Sequence, residues 1–308
     1  MKTFIFQRVV QAAIIVCMIT ITVFIILRFS AGDPARIKAP VFARADIIEQ
    51  YRQDFGIDRP LVEQLSSFVM NAVQGDLGDS FRYQAPVVDL IMGAIPKTLA
   101  LAGTALLLSV ILAIILGSLA AQRPQSFWSW LASTVAIFGQ SAPVFWTGSI
   151  LVLIFAVGLG WLPAGGYVGF SSLVLPAFAV MLSILPTQLR ILRAAMERAL
   201  QDEYIRTARA FGISNFRITF IYALKNAFLP LLTVIGLDVG YLLGGVIVAE
   251  VVFAFPGIGE LALIALNSRD FPLIQGITIV SASIFVVVNL IIDILYTALD
   301  PRIRLEDT

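Results

Sequence analysis

Apolar stretches close to the length of a bilayer crossing alternate with polar segments along the chain. A membrane-spanning helix needs about 20 apolar residues at a rise of about 1.5 Å each. Val9–Leu27 meets this without a charge, and Thr98–Gln122 does so again. From Pro124 to Leu189 no charged residue occurs. That run is too long for one crossing, and the turn-rich stretch Gly158–Gly166 divides it. The fourth span is then Leu173–Leu192, the fifth Ala227–Phe253 and the sixth Gly276–Leu299. Pro143, Pro176, Pro186 and Pro230 fall inside apolar runs and read as helix kinks. The pattern predicts an all-α membrane protein with six transmembrane helices.

Between the first two spans, Arg28–Lys97 is long and polar, with helical spacing over Ile47–Phe55 and Leu61–Val73. It reads either as a small folded segment or as a spacer covering helix ends. Phe253–Glu260 and Arg269–Pro272 make up a shorter loop after the fifth span.

Composition supports lipid as the solvent: 59% of the 308 residues are apolar and 13% are charged, too much apolar surface for a soluble domain to hide. The absence of histidine removes Ser–His and Cys–His nucleophile pairs and histidine metal sites, and the single Cys17 removes an intrachain disulfide. No long basic run suggests nucleic acid. Basic residues in short loops gather on one side (Lys2, Arg8, Arg123, Arg190 to Lys225, Arg302, Arg304), against Arg269 alone on the other. The positive-inside rule then places both termini in the cytoplasm and residues 29–97 outside.

A polar island between the fourth and fifth spans is Asp202–Gly212. Asp202 is placed to cap a short helix, Glu203 sits where the helix dipole is positive, and Gly212 supplies a left-handed stop. Tyr204, Ala208 and Phe211 fall on one apolar stripe, while Arg206 and Arg209 share another face. A helix this short is not stable alone in water, so something must receive it. Charge alone fits equally well an ordinary basic loop held by anionic headgroups.

Glu203, Ala208 and Gly212, followed by Leu229-Pro230, resemble the cytoplasmic coupling loop of ABC importer permeases. The wording from Asp202 to Ala210 and Leu224–Ala227 is similar to the dipeptide, oligopeptide and nickel permease branch. Gly32–Ala35, Phe55–Leu61, Gly75–Ser80, Phe253–Glu260 and Tyr296–Arg302 also resemble that family's pattern. The resemblance implies the type I ABC importer permease fold with a folded extracytoplasmic segment between helices 1 and 2. It divides the chain into a first helix (1–28), that segment (29–97), a five-helix core (98–301) with its coupling loop at 198–226, and a tail (302–308). It implies a channel-forming subunit of the bacterial inner membrane, importing di- or oligopeptides or a related small solute by alternating access. The implied partners are a second permease subunit in a heterodimer, two ATPase subunits and an extracytoplasmic substrate-binding protein. Asp202, Glu203, Tyr204, Arg206, Ala208, Arg209, Phe211 and Gly212 would carry the ATPase contact. In it Ala208 would be the small packing residue and Glu203 the polar anchor.

No lysine sits in a phosphate-binding loop, so ATP and Mg would bind the partner subunits and this chain would not itself be an enzyme. Within the fifth span, Asp238, Tyr241, Gly244 and Gly245 are candidates for the substrate pathway. A charge at that depth costs roughly 2.5–3.5 kcal/mol on insertion scales, so neither Asp238 nor Glu250 should face lipid. Asp238 departs from the uncharged residue common in the resembling pattern. It reads either as a contact for a cationic group of the substrate or as a hydrogen bond to the partner permease. Glu250 and Asp293 read as structural, and Trp128, Trp130, Trp146 and Trp161 as interfacial or packing aromatics. The alternatives are a self-sufficient secondary transporter, against which no internal repeat is visible, and an intramembrane hydrolase, for which no nucleophile and base pair is visible.

Overall fold

A computed structural model describes residues 2–29, 35–36, 39, 42–54 and 58–299. The motif residues 32–34, 55–57 and 300–302 lie outside this range, as does the expected tail. The helices are α1 (Lys2–Phe29), α2 (Ala45–Asp54), α3 (Leu61–Val73), α4 (Val87–Gln122), α5 (Phe127–Ser141) and α6 (Val144–Leu151). They continue with α7 (Ser171–Ala199), α8 (Glu203–Ala210), α9 (Leu224–Val252), α10 (Ile258–Ser268) and α11 (Phe271–Leu299). Among the described residues there is no strand beyond one isolated bridge, Asp79 to Pro86. Among the described residues five helices are long and apolar enough to cross a membrane, and α5 with α6 makes a sixth if that bent pair is one span. The all-α, six-span expectation holds in that form.

Several boundaries differ from the sequence expectation for physical reasons. α4 begins at Val87 because Asp89 and Lys97 can sit on a helix that continues beyond its apolar stretch. α11 begins at Phe271, so Pro272 lies in the first turn, where its missing N–H costs nothing. The loop expected after the fifth span contains α10, too short to read as a crossing. Pro143 is not a kink but a break: Ala142 is driven to extended backbone (φ −95°, ψ 120°), and the chain turns by 109° between α5 and α6. Pro176, Pro186 and Pro230, by contrast, remain inside continuous helices. α6 runs on as a π-helix over Val152–Gly158, and a short helical turn at Asn215–Arg217 enters α9 through a π-helix at Ile218–Ala223.

The chain divides into two compact units. One consists of Met1–Lys97 with Gly257–Thr308, the other of Thr98–Pro256. In the first, α1 packs along α11, Phe24 stacks on Phe68 at 6.2 Å, and Leu77, Val87, Ile91, Ala265, Leu273 and Ile277 form a core. The segment after α3 is tightly turned: Gly75 and Gly78 take positive φ, and the Gly78 amide donates to Asp76 Oδ1 at 2.8 Å.

In the second unit α7 is the central helix, packed by α5, α6 and α9. Of its apolar window 72% is buried, against 11% for α1, whose surface is therefore left to lipid or to another chain. The loop after the π-helix is pinned to the end of α9, where the Gly166 amide donates to the Phe253 carbonyl at 2.9 Å. A Cβ on Gly165 would collide with that same carbonyl, so the close approach requires glycine there.

Candidate functional site

α8 is a short helix held by a few residues. The Asp202 carbonyl accepts the first intrahelical bonds from Ile205 and Arg206, with Asp202 in extended backbone at the N-cap position. Its carboxylate makes no capping hydrogen bond, so the expected cap is formed by the backbone alone. At the other end Gly212 takes φ +73°. The Gly212 amide donates to the Arg209 carbonyl at 3.0 Å and the Ile213 amide to the Ala208 carbonyl at 3.2 Å. This paired arrangement is a Schellman motif, which satisfies two terminal carbonyls and depends on the left-handed glycine.

The buried stripe of α8 differs from the one expected. Ile205 is fully buried and Ala208 nearly so, in a cluster with Leu192, Met196, Ala199, Ile218 and Ala227. Tyr204 and Phe211 do not join it; Phe211 is 82% exposed. The reason is the three-residue step from Ile205 to Ala208, which sets the inward face, leaving Tyr204 at its edge and Phe211 beyond the helix end. Tyr204 instead accepts a hydrogen bond from Asn226 Nδ2 at 2.9 Å, which ties α8 to the start of α9. Glu203 and Arg206 form an exposed pair at 3.3 Å, of the kind worth little to stability. Arg209 borders a polar cavity of about 490 Å³ that also meets Arg123, Glu197, Gln201 and Asn215. The outward surface of α8 thus carries Glu203, Tyr204, Arg206, Arg209 and Phe211 on a helix too short to persist without its buried pair.

Deeper in the same unit, Asp238 lies at the middle of α9 and is 9% exposed. Its Oδ2 accepts a 2.7 Å hydrogen bond from Gln188 Nε2 of α7. A partner within the chain therefore exists, which sequence reasoning missed; Gln188 lies among the charge-free residues and carries no local signal. Asp238 and the half-exposed Tyr241 both border a cavity of about 510 Å³ at the α5–α6 break. Gly244 and Gly245 belong to the backbone of α9, but their surroundings lie outside the described residues, as do those of Asp293. Glu250 is fully buried and accepts from Thr98 Oγ1 at 2.6 Å, as its structural reading requires. Trp128, Trp130, Trp146 and Trp161 are all exposed on the isolated chain. Among the described residues no group of three or more acidic or cysteine side chains converges to hold a metal.

The sequence matches the family model described as "binding-protein-dependent transport system inner membrane component" over residues 113–305, and the N-terminal model of the same family over residues 1–102. It is 36% identical to a probable peptide ABC transporter permease of Sinorhizobium fredii, over 99% of this chain and 100% of that protein. A putative peptide transport system permease of Brucella abortus is likewise 36% identical, over 99% and 100%. A glutathione transport system permease of Escherichia coli is 36% identical over 99% of each chain. With both family models aligned in order along nearly the whole sequence, and with helices fit for repeated crossing, this chain belongs to the binding-protein-dependent transport system inner membrane component family and is a multi-pass membrane permease.

Proposed function

We propose that this chain is the membrane-spanning subunit of an ATP-driven importer for peptides or a closely related small solute. α8 is the contact through which ATPase subunits move the helices. The observation that carries this reading is the contrast on α8 between its buried pair, Ile205 and Ala208, and its outward set of Tyr204, Arg206, Arg209 and Phe211. A helix locked by a Schellman turn onto α7 and α9, yet presenting two aromatic and two guanidinium groups outward, suits docking into a groove on another protein. Relatives named as peptide and glutathione permeases support the solute class.

On this reading both termini and α8 face the cytoplasm of a bacterial inner membrane, and α2 and α3 lie on the outer side, where a substrate-binding protein delivers solute. ATP and Mg bind the ATPase subunits, and this chain performs no chemistry of its own. A second, distinct permease completes the passage, with Asp238, Tyr241, Gly244 and Gly245 along it. Nucleotide-driven movement of α8 is transmitted to α7 and α9 and alternates access to that passage. A self-sufficient secondary transporter is disfavoured by membership of a family whose members depend on a binding protein.

The test is reconstitution of the chain in sealed vesicles with its partner permease, ATPase subunits and binding protein, following a radiolabelled dipeptide. Accumulation that requires ATP and every partner is the expected result. Accumulation by the chain alone, without ATP, overturns the proposal.

A further inference from the structure

We infer that the cavity at the α5–α6 break receives the ammonium group of the transported solute and that Asp238 accepts its charge; this rests on the peptide-importer reading above. The cavity, about 510 Å³, is of the size that holds small ligands. Ser141, Ser183, Thr187 and Tyr241 contribute hydroxyl groups to its wall. Asp238 is the single charged side chain among the residues that line it. Among the described residues no arginine or lysine pairs with that carboxylate, and in a membrane interior an unbalanced charge is costly.

Gln188 offers only partial compensation. Its Nε2 donates to Asp238 Oδ2, but its own Oε1 is buried and accepts no hydrogen bond. Gln188 is itself fully buried and does not line the cavity, so the acceptor capacity left to a ligand is the second carboxylate oxygen of Asp238. An ammonium group is the complementary ligand, with three donors, one positive charge and no acceptor. The half-exposed ring of Tyr241, one turn along α9, adds a face suited to a cation. The free amino terminus of a peptide carries this group.

The experiment uses the assembled permease–ATPase complex in lipid nanodiscs without its binding protein, so that recognition by that protein does not enter. Alanyl-alanine and its N-acetyl derivative are titrated by calorimetry. The wild-type complex is expected to bind the free-amine dipeptide at least tenfold more tightly, and Asp238→Asn to abolish the difference. Asp238→Glu, which keeps the charge, retains a preference. In parallel, labelling of Asp238 by a hydrophobic carbodiimide, read by mass spectrometry in the unmutated chain, should be slowed by alanyl-alanine and not by the acetylated form. This second readout decides the matter even where Asp238→Asn fails to assemble.

A preference that survives Asp238→Asn, equal weakening of both dipeptides, or labelling protected equally by both overturns the inference. So does a wild-type complex that binds neither dipeptide while the complete system still accumulates alanyl-alanine; the peptide reading then stands. Failure of that accumulation overturns the peptide reading, and the inference with it.

Discussion

Thr98 Oγ1 donates a 2.6 Å hydrogen bond to Glu250 Oε1, joining the start of the apolar part of α4 to the last turns of α9. Both side chains are buried, and Glu250 is wholly so. Removing a donor from a buried carboxylate costs about 1–3 kcal/mol. Thr98→Val, which keeps the shape and deletes the hydroxyl, should lower the thermal midpoint of the purified complex. Adding Glu250→Gln to Thr98→Val should recover part of the loss, because a neutral amide suffers less than a carboxylate from losing the Thr98 donor. A melting curve for Thr98→Val that overlays the wild type removes this bond from the stability account.

Asp270 caps α11 while gripping a distant turn in the same unit. Its Oδ1 accepts from the Leu273 amide at 3.3 Å, and its Oδ2 accepts from Ser80 Oγ and the Arg82 amide at 3.1 Å. Loss of an N-cap carboxylate alone costs about 0.5–2 kcal/mol, and here buried donors are also left unpaired. Asp270→Ala should therefore destabilise by about 2–3 kcal/mol, and Ser80→Ala by less, since the cap survives it. Chemical unfolding in detergent of both variants measures the ranking. The reverse order would mean that the turn, not the cap, is the costly loss.

Gly139 on α5 lies against α7 so closely that an added Cβ would overlap the Leu182 carbonyl and come within 2.9 Å of the Pro186 ring. Neither neighbour is a flexible side-chain end, so α5 must shift. Overpacking of this kind costs typically about 1–3 kcal/mol. Gly139→Ala should lower the yield of folded protein and its melting temperature, whereas Gly103→Ala, with open space around it, should not. Size-exclusion recovery after heating separates the two variants.

Gly212 poses a conformational constraint rather than a spatial one: nothing lies within 4 Å of an added Cβ, but φ is +73°. A non-glycine residue held there pays roughly 1–2 kcal/mol. Gly212→Val should therefore distort the Schellman turn that sets the angle of α8 while leaving the packed helices inserted. Uptake is expected to fall at least tenfold with ATP hydrolysis by the partner subunits retained. Unchanged uptake would mean that the turn does not aim α8.

What could be read from the sequence, and what could not, follows from the range of the interactions. The spans were legible because exclusion of charge over about 20 residues is a local requirement of lipid. The left-handed stop at Gly212 was legible because only a few residue types tolerate that backbone. α10 was hidden because 11 residues between Gly257 and Arg269 are too few to signal a crossing. The Gln188–Asp238 pair is hidden because its members lie 50 residues apart, and Asp238 stands out alone while Gln188 carries no local signal. The inward place of Ile205 is not legible beside Tyr204 and Phe211, since both aromatics extend the apolar spacing in the sequence and only the packed helices α7 and α9 decide which side faces in.

That last distinction separates stability from coupling on one small helix. Ile205 is 0% exposed and Phe211 is 82% exposed, although both are large apolar residues six positions apart. Truncating a buried isoleucine costs about 2–5 kcal/mol, whereas surface changes usually stay within about 0.5 kcal/mol. Ile205→Ala should therefore destabilise the complex and release α8 to proteolysis. Phe211→Ala should leave the melting temperature of the permease unaltered. If the outward face of α8 meets the ATPase, Phe211→Ala should still weaken co-purification of that subunit, because an exposed aromatic side chain contributes to binding only when a partner buries it. Measuring both properties on both variants makes the assignment decisive. A Phe211→Ala protein that keeps its ATPase in full and transports normally would place the docking surface elsewhere on the chain.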